Sequence, residues 1–575
     1  MHASIATGLA LTAGISFGQV DVAPERTDNR PVNIRGYAPS YGPDLRGPFP
    51  RRSVRTGAIV SQGDFDASTA PGSVNAAAAR ASFGVDGSGI RIGIVADSFD
   101  ALGGASAGAS SGDLPPAVTV LRDAGGSDRG RAMAEIIHDI APGAELFFAS
   151  SSGRFTPEFA DRDRAIAISE LFDAGVDIIV DDGPAANAPF FRSGSSATRA
   201  AEAVEAGIAY IAAAGDAGSE SWEGPLTLFE QAPGLLLHDF NTGASFRDII
   251  LRVVIPRFTT ATVIVQWDQP TGAEADDPRG LSDLDAFLFR DLTGGQVDAS
   301  TMDQRGLFGT AEPPVEIVTY ENFEDAREEF ALTIMHAGGN TDPKTLKVIV
   351  VNGWIDDDAD TNSPTIFGQA ASADVFTVGA APFFTDAVRP SSSRGPARLF
   401  RDVEGNPIDL VVPKPDAVAT DEVNNTFFGS DSSADEDRSP NFVGSAAAAA
   451  HAAGVAALGL ELAEARGSGL EPRSLYDLMR RTTRPSSPST SSPFASGTGL
   501  LDASVLLRTI DSGSCGFADL VEPFGVISQL DVAEFVRLFF LDDRLVAALA
   551  EPIAVVSQLD VAEFVDLFFA GCAAD

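Results

Sequence analysis

The residues of this sequence best suited to chemistry are carboxylates that follow short apolar strands. Asp97 comes after the branched apolar run at 90–96, and the pair Asp181-Asp182 follows a second apolar run. Asp216 stands after a turn of alanine and glycine. A carboxylate at a strand end can exchange a proton with a substrate, and it can equally cap the turn that follows the strand. Both interpretations stay open for each of these residues.

Strands and helices alternate around these carboxylates. Apolar runs of four to seven residues predict buried strands, and the segments between them have helical patterning. The predicted strands are 90–96, 145–149, 177–180 and 209–213, and the predicted helices are 131–140, 161–174 and 196–206. This alternation predicts a doubly wound, mostly parallel α/β sheet.

The alternation stops in the middle of the chain. From about residue 225 to 354 strand patterns follow one another without helices, for example at 248–255, 262–267, 284–289 and 345–351. This pattern predicts an inserted β-sandwich over 225–358. The α/β pattern resumes at 375–379 and ends near residue 507. The α/β domain is therefore expected in two parts, 83–224 and 359–508.

Composition limits the possible partners. The 575 residues include 40 basic and 81 acidic side chains, which gives a net charge of −41, and 44% are hydrophobic. Disorder of the whole chain is not expected at this hydrophobic content, and such a surface repels nucleic acid. The acidity is typical of a protein that its negative charge keeps soluble outside the cell, or of a solvated surface with no partner. No motif predicts a cofactor or a metal.

The amino terminus has features of a secretory signal. Residues 1–18 include a mostly apolar stretch and small residues around a cleavage point, which predicts a signal peptide and a protein that is secreted or attached to the cell surface. Residues 19–82 are rich in Pro, Arg, Gly and Ser, which predicts an extended linker with a helix near its end. We count no uncharged apolar run of about 18 residues further along, so no membrane span is expected.

The carboxyl-terminal tail contains an internal repeat. The segment at 528–536 recurs at 557–565, and Glu522-Pro523 recurs at the same offset. One copy cannot bury its apolar helix alone, whereas two copies can pack on each other. Cys515 and Cys572, the only cysteines, bracket the repeat over 512–575 and either pair as a disulfide or stay as two thiols.

Short motifs along the α/β part carry a family resemblance. They are GVDGSG at 84–89 leading to GIVADS at 93–98, APGA at 141–144, AAAG at 212–215, SRGP at 393–396, KPD at 414–416, and FVG at 442–444 leading to HAAGVAAL at 451–458. One such motif is a weak signal, but six in order are a strong one. The chain resembles the subtilisin-type serine peptidases, the clan that also holds the sedolisins, and more narrowly a bacterial branch with an inserted sandwich.

The resemblance implies acyl transfer by serine, histidine, aspartate and an amide oxyanion donor. Asp97 matches the aspartate that orients the histidine. The histidine position falls on Arg129, whose guanidinium stays protonated and cannot act as a base. His138 lies nine residues later at the far end of the helix, where a packing or capping role is expected. Asp128 adjoins the site as a possible substitute carboxylate.

The remaining family positions also differ from the pattern. The oxyanion donor falls on Asp216, which donates a hydrogen bond only when protonated. The nucleophile falls on Ala446, and Ser445 is one residue early, a step that turns a helix by about 100°. Ser445 is the alternative nucleophile. Glu135 and Asp139 have the mutual spacing of a sedolisin pair but lie too late in the helix.

The tail resembles a GC-type dockerin-like repeat, which implies attachment to a cell-surface or matrix partner. True dockerin loops bind calcium through alternating Asp or Asn residues. Here Asp519 is followed by Val521 and Pro523, and the second copy has Ala548 at the matching place. The resemblance therefore implies protein interaction rather than calcium binding, with a small stabilising cap as the alternative.

Three functions follow from these observations. The first is a secreted peptidase homologue that does not hydrolyse peptide bonds and binds a peptide or protein in the cleft. The second is an atypical serine endopeptidase that uses Ser445 with Asp97, Asp128 or Asp182 as base. The third is a surface-attached scaffold or adhesion protein. The substitutions at Arg129, Asp216 and Ala446 favour the first.

Overall fold

A computed structural model describes most of the chain between residues 71 and 511. The described ranges are 71–152, 160–241, 247–269, 281–290, 295–304, 313–340, 343–356, 360–401, 406–434, 438–486 and 492–511. The predicted signal peptide, most of the predicted linker, the repeat over 512–575 and both cysteines lie outside these ranges. Those predictions stay predictions, as do the domain boundaries.

The described residues form 23 strands and nine α-helices. The strands are β1 (Arg91–Ala96), β2 (Val118–Arg122), β3 (Glu145–Ser150), β4 (Ile178–Asp181), β5 (Ala209–Ala213), β6 (Ser221–Pro225), β7 (Leu228–Ala232), β8 (Leu235–His238), β9 (Leu251–Ile255), β10 (Thr259–Trp267), β11 (Asp283–Arg290), β12 (Gln296–Ser300), β13 (Val315–Asn322), β14 (Glu328–Gly338), β15 (Thr345–Val351), β16 (Trp354–Ile355), β17 (Phe376–Pro382), β18 (Ala397–Arg401), β19 (Pro407–Val412), β20 (Ala417–Asp421), β21 (Val423–Asn424), β22 (Ser430–Asp431) and β23 (Pro440–Phe442). The helices are α1 (Ala76–Phe83), α2 (Ala105–Ser111), α3 (Arg129–Ile140), α4 (Ala160–Ala174), α5 (Ser195–Glu205), α6 (Ser445–Ala465), α7 (Pro472–Arg481), α8 (Pro493–Ser496) and α9 (Ala503–Asp511).

A seven-stranded parallel sheet organises the α/β part. Its strand order is β2-β3-β1-β4-β5-β17-β20, and every neighbouring pair runs parallel. The central strands are buried along nearly their whole length, as expected where helices cover both faces of a sheet. The mixed α/β fold with a parallel sheet and several antiparallel sheets is thereby confirmed.

The helix α6 lies in the core against this sheet. Nearly all of its residues from Ser445 to Ala463 are buried, and small side chains let its backbone approach β17, β20 and α3 closely. By length and composition alone this described helix could cross a membrane, but 89% of its apolar window is buried inside the fold. This apolar segment was not recognised in the sequence.

Antiparallel strands follow β5, in the region where a sandwich is expected. One sheet has the order β13-β10-β15-β6, and a second has β12-β11-β14-β8-β7 with β9 beside β14. Alternate residues of both sheets form one buried apolar cluster that includes Trp222, Val265, Leu288 and Val348. An inserted β-sandwich stays our prediction for this region.

The other face of the β13-β10-β15-β6 sheet packs on loops of the α/β part. Ile264 and Ile349 meet the aromatic side chains of Phe190 and Phe367 there. Gln266, which is buried, accepts a hydrogen bond from the Phe190 amide at 2.9 Å and donates one to the Ala188 carbonyl at 2.8 Å. One side chain thus satisfies two backbone groups across the junction.

The substitution Gln266→Leu tests that junction. It would leave a buried amide and a buried carbonyl without partners, at ~1–3 kcal/mol for each group. We expect the free energy of unfolding, measured by urea denaturation, to fall by ~2–6 kcal/mol, the sum for the two groups. The exposed Gln296 on β12 supplies the control, and Gln296→Leu should change the stability little. Equal losses for the two variants would contradict the assigned role of Gln266.

Candidate functional site

The candidate site lies at the carboxyl edge of the parallel sheet. Asp97 directly follows β1, Asp181 ends β4, and Asp216 follows β5 by three residues. The chain places β2 and β3 on one side of β1 and β4 on the other, so its winding direction changes at β1. Ligands of open α/β sheets bind outside the carboxyl ends of the strands at such a switch point.

Asp97 accepts hydrogen bonds from residues at the amino-terminal end of α3. Its Oδ2 accepts hydrogen bonds from the Ser127 amide at 2.6 Å and the Ser127 hydroxyl at 2.5 Å. Its Oδ1 accepts from the Ser98 amide at 2.6 Å and the Arg129 amide at 3.0 Å. This carboxylate therefore caps backbone donors ahead of the helix, and among the described residues no histidine contacts it.

Asp128 is buried and has a structural role. Its Oδ1 accepts from Ser98 Oγ at 2.9 Å and from the Ala101 amide at 2.7 Å. Its Oδ2 pairs with Arg131 at 3.0 Å and accepts from the Leu102 amide at 3.0 Å. With both oxygens engaged in this way, Asp128 orders the loop after β1.

Arg129 belongs to a chain of ion pairs that runs into the core. Its guanidinium bonds Asp182 Oδ2 at 3.1 Å, and 27% of the Arg129 side chain is exposed. Asp182 Oδ1 also accepts from the buried Arg164 at 3.0 Å, and Arg164 contacts Asp181 as well. Tyr210 donates to Asp181 at 2.5 Å. Burial raises the pKa of Asp181, while the Arg164 charge opposes that rise.

Asp216 and Ser445 contact each other across the sheet edge. The Ser445 amide donates to Asp216 Oδ1 at 2.9 Å, the Gly215 amide donates to Ser445 Oγ at 3.1 Å, and the Ser445 hydroxyl also contacts the Asp216 carboxylate. The pKa of Asp216 is raised overall, because the effect of burial outweighs the opposing effects of the bonds with Ser445 and of the nearby Arg129 charge. The Ser445 side chain is 0% exposed.

The first turn of α6 is fixed by a neighbouring strand. The Gly444 amide donates to Asp421 Oδ2 at 2.9 Å, and Asp421 is paired with the buried Arg389. Gly444 has a φ of 117°, a backbone conformation that favours glycine. Ala446, one residue into the helix, is 1% exposed and presents only a methyl group.

The side chains further along α3 lie away from this edge. Glu135 is buried and accepts from the Thr426 amide at 3.1 Å and the Thr426 hydroxyl at 2.6 Å, and burial raises the pKa of Glu135 to about 7. His138 is half-buried in the last turn, where burial lowers its pKa. Asp139 follows it in that turn.

Contacts link two pairs of the residues singled out by the sequence. Asp97 accepts from the Arg129 amide, and Asp216 bonds Ser445 beside Ala446, while the charge of Arg129 acts on the pKa of Asp216 without a contact between them being shown. A serine nucleophile needs a base within hydrogen-bond reach and access to a carbonyl. Here the hydroxyl is buried, Asp216 is the carboxylate beside it, and the guanidinium of Arg129 cannot act as a base.

Two side chains that fix the charges at the candidate site were missed in the sequence. Arg164 and Tyr210 fix Asp181 beneath Arg129, although neither belongs to a motif. The spacing of Arg164 to Ala167, Ile168 and Leu171, all buried, places it on the apolar face of α4. The position of Arg164 on the inward face of the predicted helix could have indicated a buried ion pair.

Comparisons with known proteins give weak structural likenesses. The CspB protease of Clostridium perfringens has a TM-score of 0.43 at 12% identity, covering 76% of this chain and 98% of its own. The patellamide maturation protease PatA has a TM-score of 0.38 at 14% identity, covering 74% and 98%. MycP1 from Mycobacterium smegmatis has a TM-score of 0.32 at 13% identity, covering 78% and 88%. No family model and no curated protein matches the chain.

These findings correct the identification made from the sequence motifs. The chain was identified as a degenerate member of the subtilisin-type family with a dockerin-like tail, and that identification is wrong as stated. No family model matches any part of the chain, and nothing in the comparisons supports a dockerin. Likenesses at these TM-scores do not establish a shared family or activity. The comparisons give weak likenesses to solved protease structures and no more than that.

Proposed function

We propose that this protein has a protease-like α/β fold that binds a peptide segment without hydrolysing it. The observation that carries the proposal is the burial of Ser445, whose hydroxyl is held by Gly215 and Asp216. The residue next to it, Ala446, carries no nucleophile. The groups at the sheet edge are therefore suited to contacts with a ligand rather than to acyl transfer.

Peptide binding is supported by the polar groups at this edge. Arg129 is partly exposed and carries a charge-assisted donor, and Asp216 is a partly buried carboxylate near it. Gly183 and Gly215, with φ of 128° and 98°, form the turns after β4 and β5 that bring Asp182 and Asp216 to this edge.

A turnover assay tests the absence of hydrolysis. Purified protein incubated with casein and with fluorogenic peptides from pH 3 to pH 10 is expected to show no cleavage above the buffer background. Ser445→Ala should leave that background unchanged, as should Ser82→Ala, which removes an exposed hydroxyl.

Hydrogen exchange with a bound peptide library should show protection at 97–102, 127–131 and 182–186. Protection confined to other segments would refute the proposed site.

A second candidate function has one observation in its favour. The Ser445 hydroxyl contacts a carboxylate, Asp216, whose pKa is raised by burial, so a base is within reach of a hydroxyl. Asp97, Asp128 and Asp182, considered as bases from the sequence, bond other groups. Cleavage that is lost in Ser445→Ala and retained in Ser82→Ala would establish an atypical serine peptidase and overturn the first proposal.

A further inference from the structure

An uncharged and exposed segment follows Asp97 next to the sheet-edge site. It spans 101–112, from the loop after β1 to the end of α2, and contains no Asp, Glu, Lys or Arg. Only Gly108 is buried in this segment, whereas the uncharged residues of α6 lie in the core. The chain as a whole has 21% charged residues, and a surface without charges is typical of the centre of a binding interface.

Leu102 is the large apolar side chain of this segment, and it is 65% exposed although its backbone is fixed. The Leu102 amide donates to Asp128 Oδ2 at 3.0 Å, and the Ala101 amide donates to Asp128 Oδ1 at 2.7 Å. The Gly103 carbonyl accepts from Arg131 at 3.3 Å. Asp128 and Arg131 are both buried, so the loop holds the leucine outside the core in a preorganised backbone.

Two glycines allow the loop to bend closely around Arg131. Gly103 and Gly104 have φ of 75° and 129°, conformations that favour glycine. A side chain at position 104 would lie 3.1 Å from the Arg131 guanidinium. The sequence Leu-Gly-Gly therefore places a leucine at the outside of a tight turn, where it has little contact with the core.

Phe427 adds an aromatic ring on the same arginine. The guanidinium carbon of Arg131 lies 3.5 Å from the centre of the Phe427 ring, and Phe427 is itself partly exposed. Arg131 also pairs with Asp128 at 3.0 Å, so its charge is already balanced. We call Ala101, Leu102, Gly103 and Phe427 together the apolar rim.

The apolar rim is continuous with the sheet-edge site. Asp128, which binds the rim backbone, directly precedes Arg129, and the Arg129 amide donates to Asp97 Oδ1 at 3.0 Å. Asp97 in turn lies four positions before Ala101 in the chain. A peptide in contact with Arg129 therefore has the rim as its neighbour.

The size of the rim and the charge of the chain argue against a second copy as the occupant. A stable dimer interface has ~20–30 residues on each side, far more than the rim provides. Two copies with a net charge of −41 also repel each other at close range. One or two side chains of an extended peptide, by contrast, match an area of this size.

We propose that the peptide bound at the sheet edge has an apolar side chain, such as leucine or phenylalanine, that packs on the apolar rim. This inference rests on the proposed function and names the class of peptide. An apolar side chain gains by leaving water against Leu102 and Phe427. A charged side chain would lose water there without gaining a counter-charge, because Arg131 is already paired with Asp128.

Fluorescence anisotropy of the full chain with labelled peptide pools tests this preference. The probes are capped octapeptide pools in which leucine, serine or aspartate is fixed at each position in turn. We expect one position at which the leucine pool binds about tenfold more tightly than the serine pool, because only leucine buries apolar surface on the rim. The aspartate pool should bind no more tightly than the serine pool.

Substitutions at Leu102 connect that preference to the rim. Leu102→Ser should remove the preference for leucine and leave binding of the serine pool unchanged, since only the exposed side chain is altered. Leu102→Phe should retain the preference. Leu410→Ser is the control, because Leu410 is 44% exposed on β19 and does not belong to the rim, and it should leave the preference intact.

The outcomes separate this inference from the proposed function. Binding of the pools without a preference for leucine at any position would overturn the inference and leave the peptide-binding function standing. A preference that Leu102→Ser and Leu410→Ser reduce equally would also overturn the inference. If none of the pools bound, both the inference and the proposed function would be wrong.

Discussion

Replacing Arg164 with methionine should lower the free energy of unfolding by ~3–5 kcal/mol. Arg164 is buried and contacts both Asp181 and Asp182, which are themselves buried. Methionine would leave two carboxylates inside the fold, with Asp182 still paired to the partly exposed Arg129. Removing one partner of a buried ion pair is costly because the remaining charge has lost its water and its counter-charge. Urea denaturation measures the loss.

An exposed ion pair gives the matched control. Arg473 contacts Asp374 with 67% of the arginine side chain exposed, and surface pairs of this kind contribute ~0–1 kcal/mol. Arg473→Met should therefore change the stability by less than ~1 kcal/mol. A similar small change for Arg164→Met would show that Asp181 and Asp182 are neutral or hydrated in the folded protein. The assignment of buried ion pairs between Arg164 and the two carboxylates, Asp181 and Asp182, would then be wrong.

Replacing Glu316 with glutamine should stabilise the protein in alkaline solution. Glu316 on β13 is buried, accepts from the Met302 amide at 3.1 Å, and contacts Gln304. Burial raises the pKa of Glu316 to about 8, hydrogen bonds from Ser300 and Gln304 oppose the rise, and the Asp285 charge adds to it. At high pH the folded protein therefore holds an uncompensated buried charge.

The sign of the pH dependence follows from that raised pKa. The folded protein holds the proton of Glu316 more tightly than the unfolded chain, so this stabilising contribution is complete below about pH 4.5 and is lost as the pH rises through about 8. A pKa difference of 1 corresponds to ~1.4 kcal/mol, so Glu316→Gln should raise the free energy of unfolding by ~2–4 kcal/mol more at pH 9 than at pH 5.

Urea denaturation at the two pH values measures this difference. Glu324→Gln is the control, because Glu324 is exposed in the turn that follows β13 and has no cost of burial to relieve. It should have the same small effect at both pH values. If Glu316→Gln changed the stability equally at pH 5 and pH 9, the carboxyl group of Glu316 would not be the titrating group.

The central strands could be predicted from the sequence because burial on both faces demands branched apolar runs. The predicted strand at 209–213 coincides with β5, and that at 90–96 differs from β1 by one residue. The edge strand β2 and the short helix α2 were missed. Most of β2 is exposed, and α2 consists of small residues, so neither has a strong apolar pattern.

The candidate site was predictable only in part. Motif spacing singled out Asp97 and Arg129, which contact each other, and Asp216 and Ser445, which also contact each other, while their family roles stay predictions. The partners that fix their charges were not predictable, because they come from distant segments. Arg164 reaches Asp181 across 17 positions of the chain, and only the folded sheet brings them together.

The ion pair between Arg129 and Asp182 limits which side chains position 129 tolerates. A shorter or neutral side chain there would leave Asp182 with Arg164 alone, and Arg164 would then have to balance both Asp181 and Asp182. Because removing one partner of a largely buried ion pair is costly, a change at position 129 affects the core of the sheet as well as its edge.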